Sequence, residues 1–272
     1  MQNRSVAYFT RTVDRALKVL GAFPPDRAEV SLSDLGRATQ IEFSTVFRLL
    51  RTLERHGFVS QNRANRRYRL GHRLLELGRI VADHLEVRRE ALPIMMRLSQ
   101  DSGETAFLFA YSEGQALCIE RVEAWDSPIR VAGRVGMRIP LHAGAGAKVL
   151  LAWRTRDEIE ACLRVPLSRY TDSTITDPNR LRAELARIRT RGYALSHGER
   201  VPGLTAIGAP VRDHTGDVVA ALTLDGPTFR LPHRRARELA GAVISDATEI
   251  SQKLGYTRER AAQTSRRVAS AS

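Results

Sequence analysis

Cysteine, lysine and long apolar runs are all scarce in this chain. Its two cysteines, Cys118 and Cys162, stand far apart, which excludes a disulfide framework. They fit a reducing compartment in which buried thiols act as small hydrophobes, and neither has the spacing of a nucleophile. The histidines His142, His197, His214 and His233 are scattered, with no pair at metal-ligand spacing, so neither a metal nor a cofactor is expected. No cationic leader followed by a long apolar run opens the chain, and the stretch 218–224 is too short to span a bilayer. A cytoplasmic protein without a membrane partner is expected. Catalytic motifs are missing as well. The glycines of 142–148 resemble a phosphate loop, but Val149 follows Lys148 where a Ser or Thr is required. Helix-entry amides there could still hold a small anion. The acids of 213–217 are better explained by turn chemistry than by catalysis. No Ser, His and acid set sits in a nucleophile motif, so an enzyme is not expected.

Positive charge is abundant, and only three lysines contribute to it, so arginine supplies nearly all of it. The chain has 43 basic residues against 30 acidic ones, a net charge of +13, which favours polyanionic partners, DNA above all. A length of 272 residues allows two domains of ordinary size. Arg180, Arg182, Arg187, Arg189 and Arg191 read as a solvated helix face, as do the arginines of 258–267.

Residues 31–70 carry the clearest pattern. Ser31 is placed to cap a helix through Ala38, with Asp34 three residues on and Leu32 and Leu35 on one face. The segment 39–43 breaks the pattern, and Ser44 is placed to cap a second helix ending near His56. Val46, Leu49, Leu50 and Leu53 give that helix one buried stripe. Thr45, Phe47, Arg48, Arg51, Thr52 and Arg55 fall on the opposite face, where a recognition helix meets base edges and phosphates. Gly57 is suited to end the helix. Phe58 and Val59 read as a strand, 61–66 as a hairpin tip and 67–70 as the returning strand: a wing, with Arg63, Arg66, Arg67 and Arg69 able to meet DNA. A basic amphipathic helix is usually no more than a solvated one. Here, however, 48–73 holds a single acid, Glu54, among many arginines, so nucleic-acid binding is the better reading.

Elsewhere, 11–23 reads as a first helix stopped by Pro24 and Pro25. From Gly71 to about Glu90 a long helix carries Leu74, Leu75, Leu77, Ile80, Val81 and Leu85, a face broad enough to want a second copy of itself. Pro93 marks the passage into a second domain. There, helices are expected at 91–100, 144–153, 157–164 and 232–254, and one is capped by Asp177 with Pro178 at its first position and closed by Gly192. Strands are expected at 105–111, 116–122, 129–131, 193–196, 205–211 and 218–224. The Ser, Ala, Thr and Arg mixture beyond Gly255 reads as a disordered tail.

In Ser44-Thr45-Val46-Phe47-Arg48-Leu49-Leu50-Arg51-Thr52-Leu53, then Gly57-Phe58-Val59 and Tyr68-Arg69-Leu70-Gly71, the head resembles the IclR family of bacterial transcription regulators. Pro140-Leu141-His142-Ala143 leading to Lys148, Arg191-Gly192-Tyr193-Ala194, Ala209-Pro210-Val211 with Gly216, and Gly226-Pro227 extend the resemblance in family order. It implies an α+β chain with a winged helix-turn-helix at 1–70, a linker and dimerisation helix at 71–92, a GAF-like α/β effector-binding domain at 93–256 and a tail at 257–272. It also implies a homodimer or homotetramer. The DNA-binding residues expected are Ser44, Thr45, Phe47, Arg48, Arg51, Thr52, Arg63, Arg66 and Arg67.

For the effector, the resemblance points to Leu141 and to a glycine-alanine step falling at Ala145 and Gly146, whose amides would hold a carboxylate. Ser196 stands where the family commonly has an acid, Ala206 where it often has a cysteine, and Thr223 and Asp225 where it has paired serines. A carboxylate at Asp225 would repel an organic acid. The ligand is therefore expected to be neutral, hydroxylated or cationic, unless a basic neighbour compensates. The expected function is sequence-specific binding of a pseudo-palindromic double-stranded DNA operator, more often as a repressor, under control of a small metabolite. The alternatives are a nonspecific nucleic-acid-binding protein and an enzyme with a DNA-tethering head.

Overall fold

The computed structural model describes residues 10–24, 26–124 and 131–257. It divides into two compact units, one through His84 and one from Leu85.

In the first unit, helices α1 (Arg11–Gly21), α2 (Leu32–Thr39) and α3 (Phe43–Arg55) enclose a core of Val19, Leu35, Val46, Leu49 and Leu50. The strands β1 (Val59–Gln61) and β2 (Tyr68–Leu70) add Val59 and Tyr68 to that core, and Val30 pairs with Tyr68 beside them. Ser31 caps α2 as the sequence implies, its hydroxyl accepting from the Asp34 amide at 3.2 Å. The cap of α3 is different from the one expected. Glu42, not Ser44, takes it: the Glu42 carboxylate accepts from the Ser44 and Thr45 amides at 3.1 and 3.2 Å, so Ser44 lies inside the first turn. Gly57, with φ of 76°, follows the helix in the left-handed conformation that its place requires.

The single helix expected from Gly71 to about Glu90 is two helices. These are α4 (His72–His84) and α5 (Glu86–Ser102), separated at Leu85, whose ψ of 88° is not helical. Pro93 lies within α5 instead of before it. A buried stripe of Ala91, Ile94, Met95 and Leu98 carries the helix through a residue that cannot donate to its ladder.

The second unit is built on a six-stranded antiparallel sheet. Its strands are β3 (Thr105–Ser112), β4 (Gln115–Val122), β5 (Arg138–Pro140), β6 (Ala194–His197), β7 (Leu204–Arg212) and β8 (Val218–Pro227), in the order β5-β4-β3-β8-β7-β6. The strand expected at 129–131 lies, except for Val131, outside the described residues, and Val131 is not in a strand. β5, which pairs with β4, is a strand beyond those the sequence implies. On one face α5 and α9 (His233–Lys253) pack on Leu108, Leu222, Leu224 and Ile207. The other face carries α6 (Ala145–Ala152), α7 (Arg156–Arg164) and α8 (Pro178–Arg191). Alternate residues of each buried strand thus feed two separate cores. α8 begins with the Asp177 cap at 2.7 Å from the Arg180 amide and ends at Gly192, in agreement with its sequence. In the β7–β8 turn, the Asp213 carboxylate accepts from the amide and hydroxyl of Thr215. This is turn chemistry, as expected. Among the described residues no helix is long and apolar enough to cross a membrane. The tail from 258 onward lies outside the described residues.

Candidate functional sites

The outward face of α3 follows from its buried one. With Val46, Leu49 and Leu50 turned inward, the helical repeat sends Ser44, Phe47, Arg48, Arg51, Thr52 and Arg55 to solvent, while Thr45 is half-buried. Phe43 and Phe47 remain 56% and 45% exposed, two aromatic rings that the core does not use. Ser44 and Thr45 both hydrogen-bond through their hydroxyls to Glu42, so capping engages them in this structure. Glu54, the lone acid of this stretch, orders the surface. One of its oxygens takes Arg51 at 2.9 Å and the other the Gln61 amide at 3.2 Å, tying α3 to the wing. Glu29 does the same for the wing tip, accepting from Asn62 at 2.9 Å and Asn65 at 2.7 Å. The Asn65 bond and then the Asn62 bond hold the Glu29 carboxyl below its usual range. Arg63, Arg66 and Arg67 stand exposed on that tip, while Arg69 donates to Ser60.

In the second unit the entry of α6 rests directly on the sheet. A methyl at Gly146 would come within 2.8 Å of Phe109 and Thr223, so only glycine permits this approach. The amides of Ala145, Gly146 and Ala147 have no carbonyl inside the helix to bond. Ala145 and Gly146 line a narrow cavity of about 30 Å³. Ala145, Gly146, Ser196, Ala206, Thr223 and Asp225 all line it. Leu141 does not. The chain turns after Pro140, the strand alternation ends there, and Leu141 lines a separate depression with His142, Cys162 and Tyr170. Phe107, Phe109, Met137 and Ile139, which no sequence motif marks, form its apolar walls, and the segment 198–203 adds Glu199, Arg200 and Val201.

Two acids, the half-buried Asp225 and the buried Glu199, set the electrostatics of the site. Asp225, half-buried on β8, accepts from the Thr223 hydroxyl at 2.6 Å. Burial pushes its carboxyl up to about 7, against the opposing pulls of Thr223 and Arg200. Glu199 bonds the buried Lys148 ammonium and, at 3.1 Å, accepts from the Gly144 amide at the entry of α6. Lys148 also donates to the Leu195 carbonyl at 3.0 Å. The hydroxyls of Thr171 and Thr174 fix the backbone of this segment, each donating at 2.6 Å, to Gly198 and Glu199 respectively. Burial raises the Cys118 thiol to about 12 and raises Cys162 as well, so neither is poised as a thiolate.

Residues 12–63 match the IclR helix-turn-helix domain, and residues 80–252 match the domain described as bacterial transcriptional regulator IclR C-terminal. The chain is 32% identical over 247 residues to the HTH-type transcriptional regulator XynR of Escherichia coli, covering 90% of this chain and 98% of XynR. It is 30% identical to the acetate operon repressor of Salmonella typhimurium, over 91% of each protein. Among solved structures, an IclR homolog from Microbacterium hydrocarbonoxydans complexed with 4-hydroxybenzoate superposes with a TM-score of 0.81 at 30% identity, covering 89% of this chain and 98% of that one.

Proposed function

The chain belongs to the IclR family of bacterial transcriptional regulators, and from that premise we propose that it is a metabolite-controlled repressor acting on a pseudo-palindromic operator in the cytoplasm. The observation that carries this reading is the outward face of α3, where Arg48, Arg51 and Arg55 stand exposed beside an equally basic wing. Arg48 and Arg51, with Thr45, Phe47 and Thr52, meet the major groove. Arg63, Arg66 and Arg67 meet phosphates, and Ser44 supports them from the first turn. The sign of regulation is supported by relatives named as repressors. Two copies associate through α4, whose Leu75, Ile80 and Val81 are 73%, 54% and 62% exposed in the single chain, giving a dimer or a pair of dimers.

The effector enters the cavity at the start of α6, where the Ala145 and Gly146 amides receive a carboxylate. Ser196, Thr223 and Asp225 meet its polar groups, and Ala206 leaves room for it. Asp225 repels a second negative charge, so the far end of the ligand carries a hydrogen-bond donor. A hydroxylated acid of the kind bound by the Microbacterium relative has that chemistry. The cavity is narrow, about 30 Å³, and segment 198–203 moves to admit the ligand. A coupling of about 1–3 kcal/mol between cavity and operator suffices for control.

The test is a footprint on DNA from immediately upstream of the protein's own gene, against scrambled DNA, with and without a panel of small organic acids. A specific, palindromic and metabolite-sensitive footprint is expected. Equal binding to both DNAs would replace this reading with nonspecific binding. Acid binding that persists unchanged in Asp225→Asn would remove the role given to Asp225.

A further inference from the structure

A second and larger space lies on the other side of Ser196 and Glu199. It is an open cleft of about 690 Å³ along the outer edge of β6, walled by α8 on one side and the start of α9 on the other. Its size is that of an ordinary small-molecule site. Five cations line it, Lys148, Arg180, Arg187, Arg191 and Arg237, against two acids, Glu184 and Glu199. Both acids are already engaged. Glu199 holds Lys148 and the Gly144 amide. Glu184 is shared by Arg191 at 2.8 Å, Arg187 at 3.7 Å and Lys148 at 4.0 Å. Arg180 and Arg237 form no ion pair among the described residues. His197 and His233 stand at the cleft with ring centres 6.2 Å apart, and both are exposed.

The arginines of α8 read in sequence as a solvated face, but a solvated face does not gather them around a concavity with the first turns of another helix. We propose that this cleft binds a small, multiply charged oxyanion, and that its occupancy is coupled to the cavity at the start of α6. A guanidinium is suited to such a ligand because its forked donors match phosphate and carboxylate oxygens. Two larger occupants fit less well. A second copy of this chain docked cleft to cleft would set arginine against arginine. A peptide strand added to β6 would find only four residues to pair with, and Lys148 already holds the Leu195 carbonyl. Coupling follows from the shared wall, since Ser196 and Glu199 line both spaces. An anion that draws Lys148 and Arg191 toward itself weakens the hold of Lys148 on Glu199, and with it the closure of segment 198–203. The inference is independent of which molecule fills the cavity and of which DNA the head reads.

The experiment is calorimetric titration of the full chain with pyrophosphate and, separately, with citrate, which distinguishes a phosphate source from a carboxylate one. Arg187→Ser/Arg237→Ser tests the cleft, and Arg63→Ser/Arg66→Ser controls for binding to the basic wing. All four are exposed side chains whose loss leaves the cores intact. We expect one of the two anions to bind once per chain, about tenfold or more weaker in the cleft variant and unchanged in the wing variant. Saturation should also speed amide exchange across 198–203. The site is refuted if neither anion binds, if the cleft variant binds as the wild type does, or if only an acidic peptide such as oligoglutamate is held. Unchanged exchange on saturation would refute the coupling.

Discussion

Charge plays opposite parts in the two units. Along 48–69 of the first unit, Arg48, Arg51, Arg55, Arg63, Arg66, Arg67 and Arg69 are all exposed, and the one acid of that stretch, Glu54, orients its neighbours, as Glu29 does at the wing tip, without neutralising the surface. In the second unit the charges at the start of α6 are buried: Lys148 is 1% exposed and Glu199 7%, and the pair is held by backbone groups on both sides. An exposed charge on a helix costs little and gives little to stability, so it is available for a partner. A buried charge is stable only with its counter-charge and hydrogen bonds complete, so it fixes local geometry and makes that geometry sensitive to anything that competes for either member.

Breaking the buried pair is the sharpest test of this contrast. Lys148→Met leaves the Glu199 carboxylate enclosed without its cation and is expected to destabilise the second unit by about 3–5 kcal/mol. Adding Glu199→Gln should recover most of that loss. Urea unfolding followed by tryptophan fluorescence measures both, and a loss below about 1 kcal/mol for the single variant would mean that the pair is solvated in practice.

Asp225 gives the next largest effect, with a distinct pH signature. Its unfolded carboxyl releases a proton near 3.8, whereas the folded one holds it to about 7. Between those values the native chain binds a proton that the unfolded chain has lost. Stability therefore falls as pH rises from about 4 to about 7 and levels off above. Asp225→Asn keeps an acceptor for Thr223 and has no charge to bury. It should match the wild type near pH 4 and exceed it at alkaline pH by on the order of 3 kcal/mol. Stability curves that run parallel in the two proteins would show Asp225 to be ionised without penalty.

The same contrast explains what could be read from the sequence. The first unit was legible because periodicity alone assigns Val46, Leu49 and Leu50 to the core and so Arg48 and Arg51 to solvent. The cap was misplaced because Glu42 and Ser44 are both capable acceptors two residues apart, and only backbone geometry chooses between them. Neither glycine nor proline stands beside Leu85 to mark the break there, and Pro93 inside α5 is tolerated only because of tertiary packing. In the second unit, Ala145, Gly146, Ser196, Ala206, Thr223 and Asp225 could be placed by resemblance, since strand and helix positions carry over between relatives. Glu199 could not, because its partner Lys148 is 51 residues away and no local pattern joins them. Leu141 lies apart from those six because its direction is set by the turn after Pro140.

On the exposed side of the comparison, effects should be moderate and should appear in binding, not in folding. Arg48→Ala is expected to cost about 2 kcal/mol on the preferred operator while leaving affinity for scrambled DNA nearly unchanged, measured by competition binding. Its unfolding midpoint should stay within about 0.5 kcal/mol of the wild type. An equal loss on both DNAs would move Arg48 from base reading to phosphate contact.

The smallest effect separates the wing from the helix. Arg66 sits on the wing tip with φ of 59°, exposed and in a conformation that the backbone of the turn imposes. A side chain held there can reach a phosphate but has no fixed register to a base, so Arg66→Ala should weaken every DNA alike. Because each neutralised phosphate releases about 0.9 of a counterion, the slope of log affinity against log salt should fall by about one unit per site, whatever the sequence. A variant that keeps the full slope and loses discrimination instead would place the wing in the minor groove, reading A·T-rich width, and would assign base recognition to both parts of the first unit.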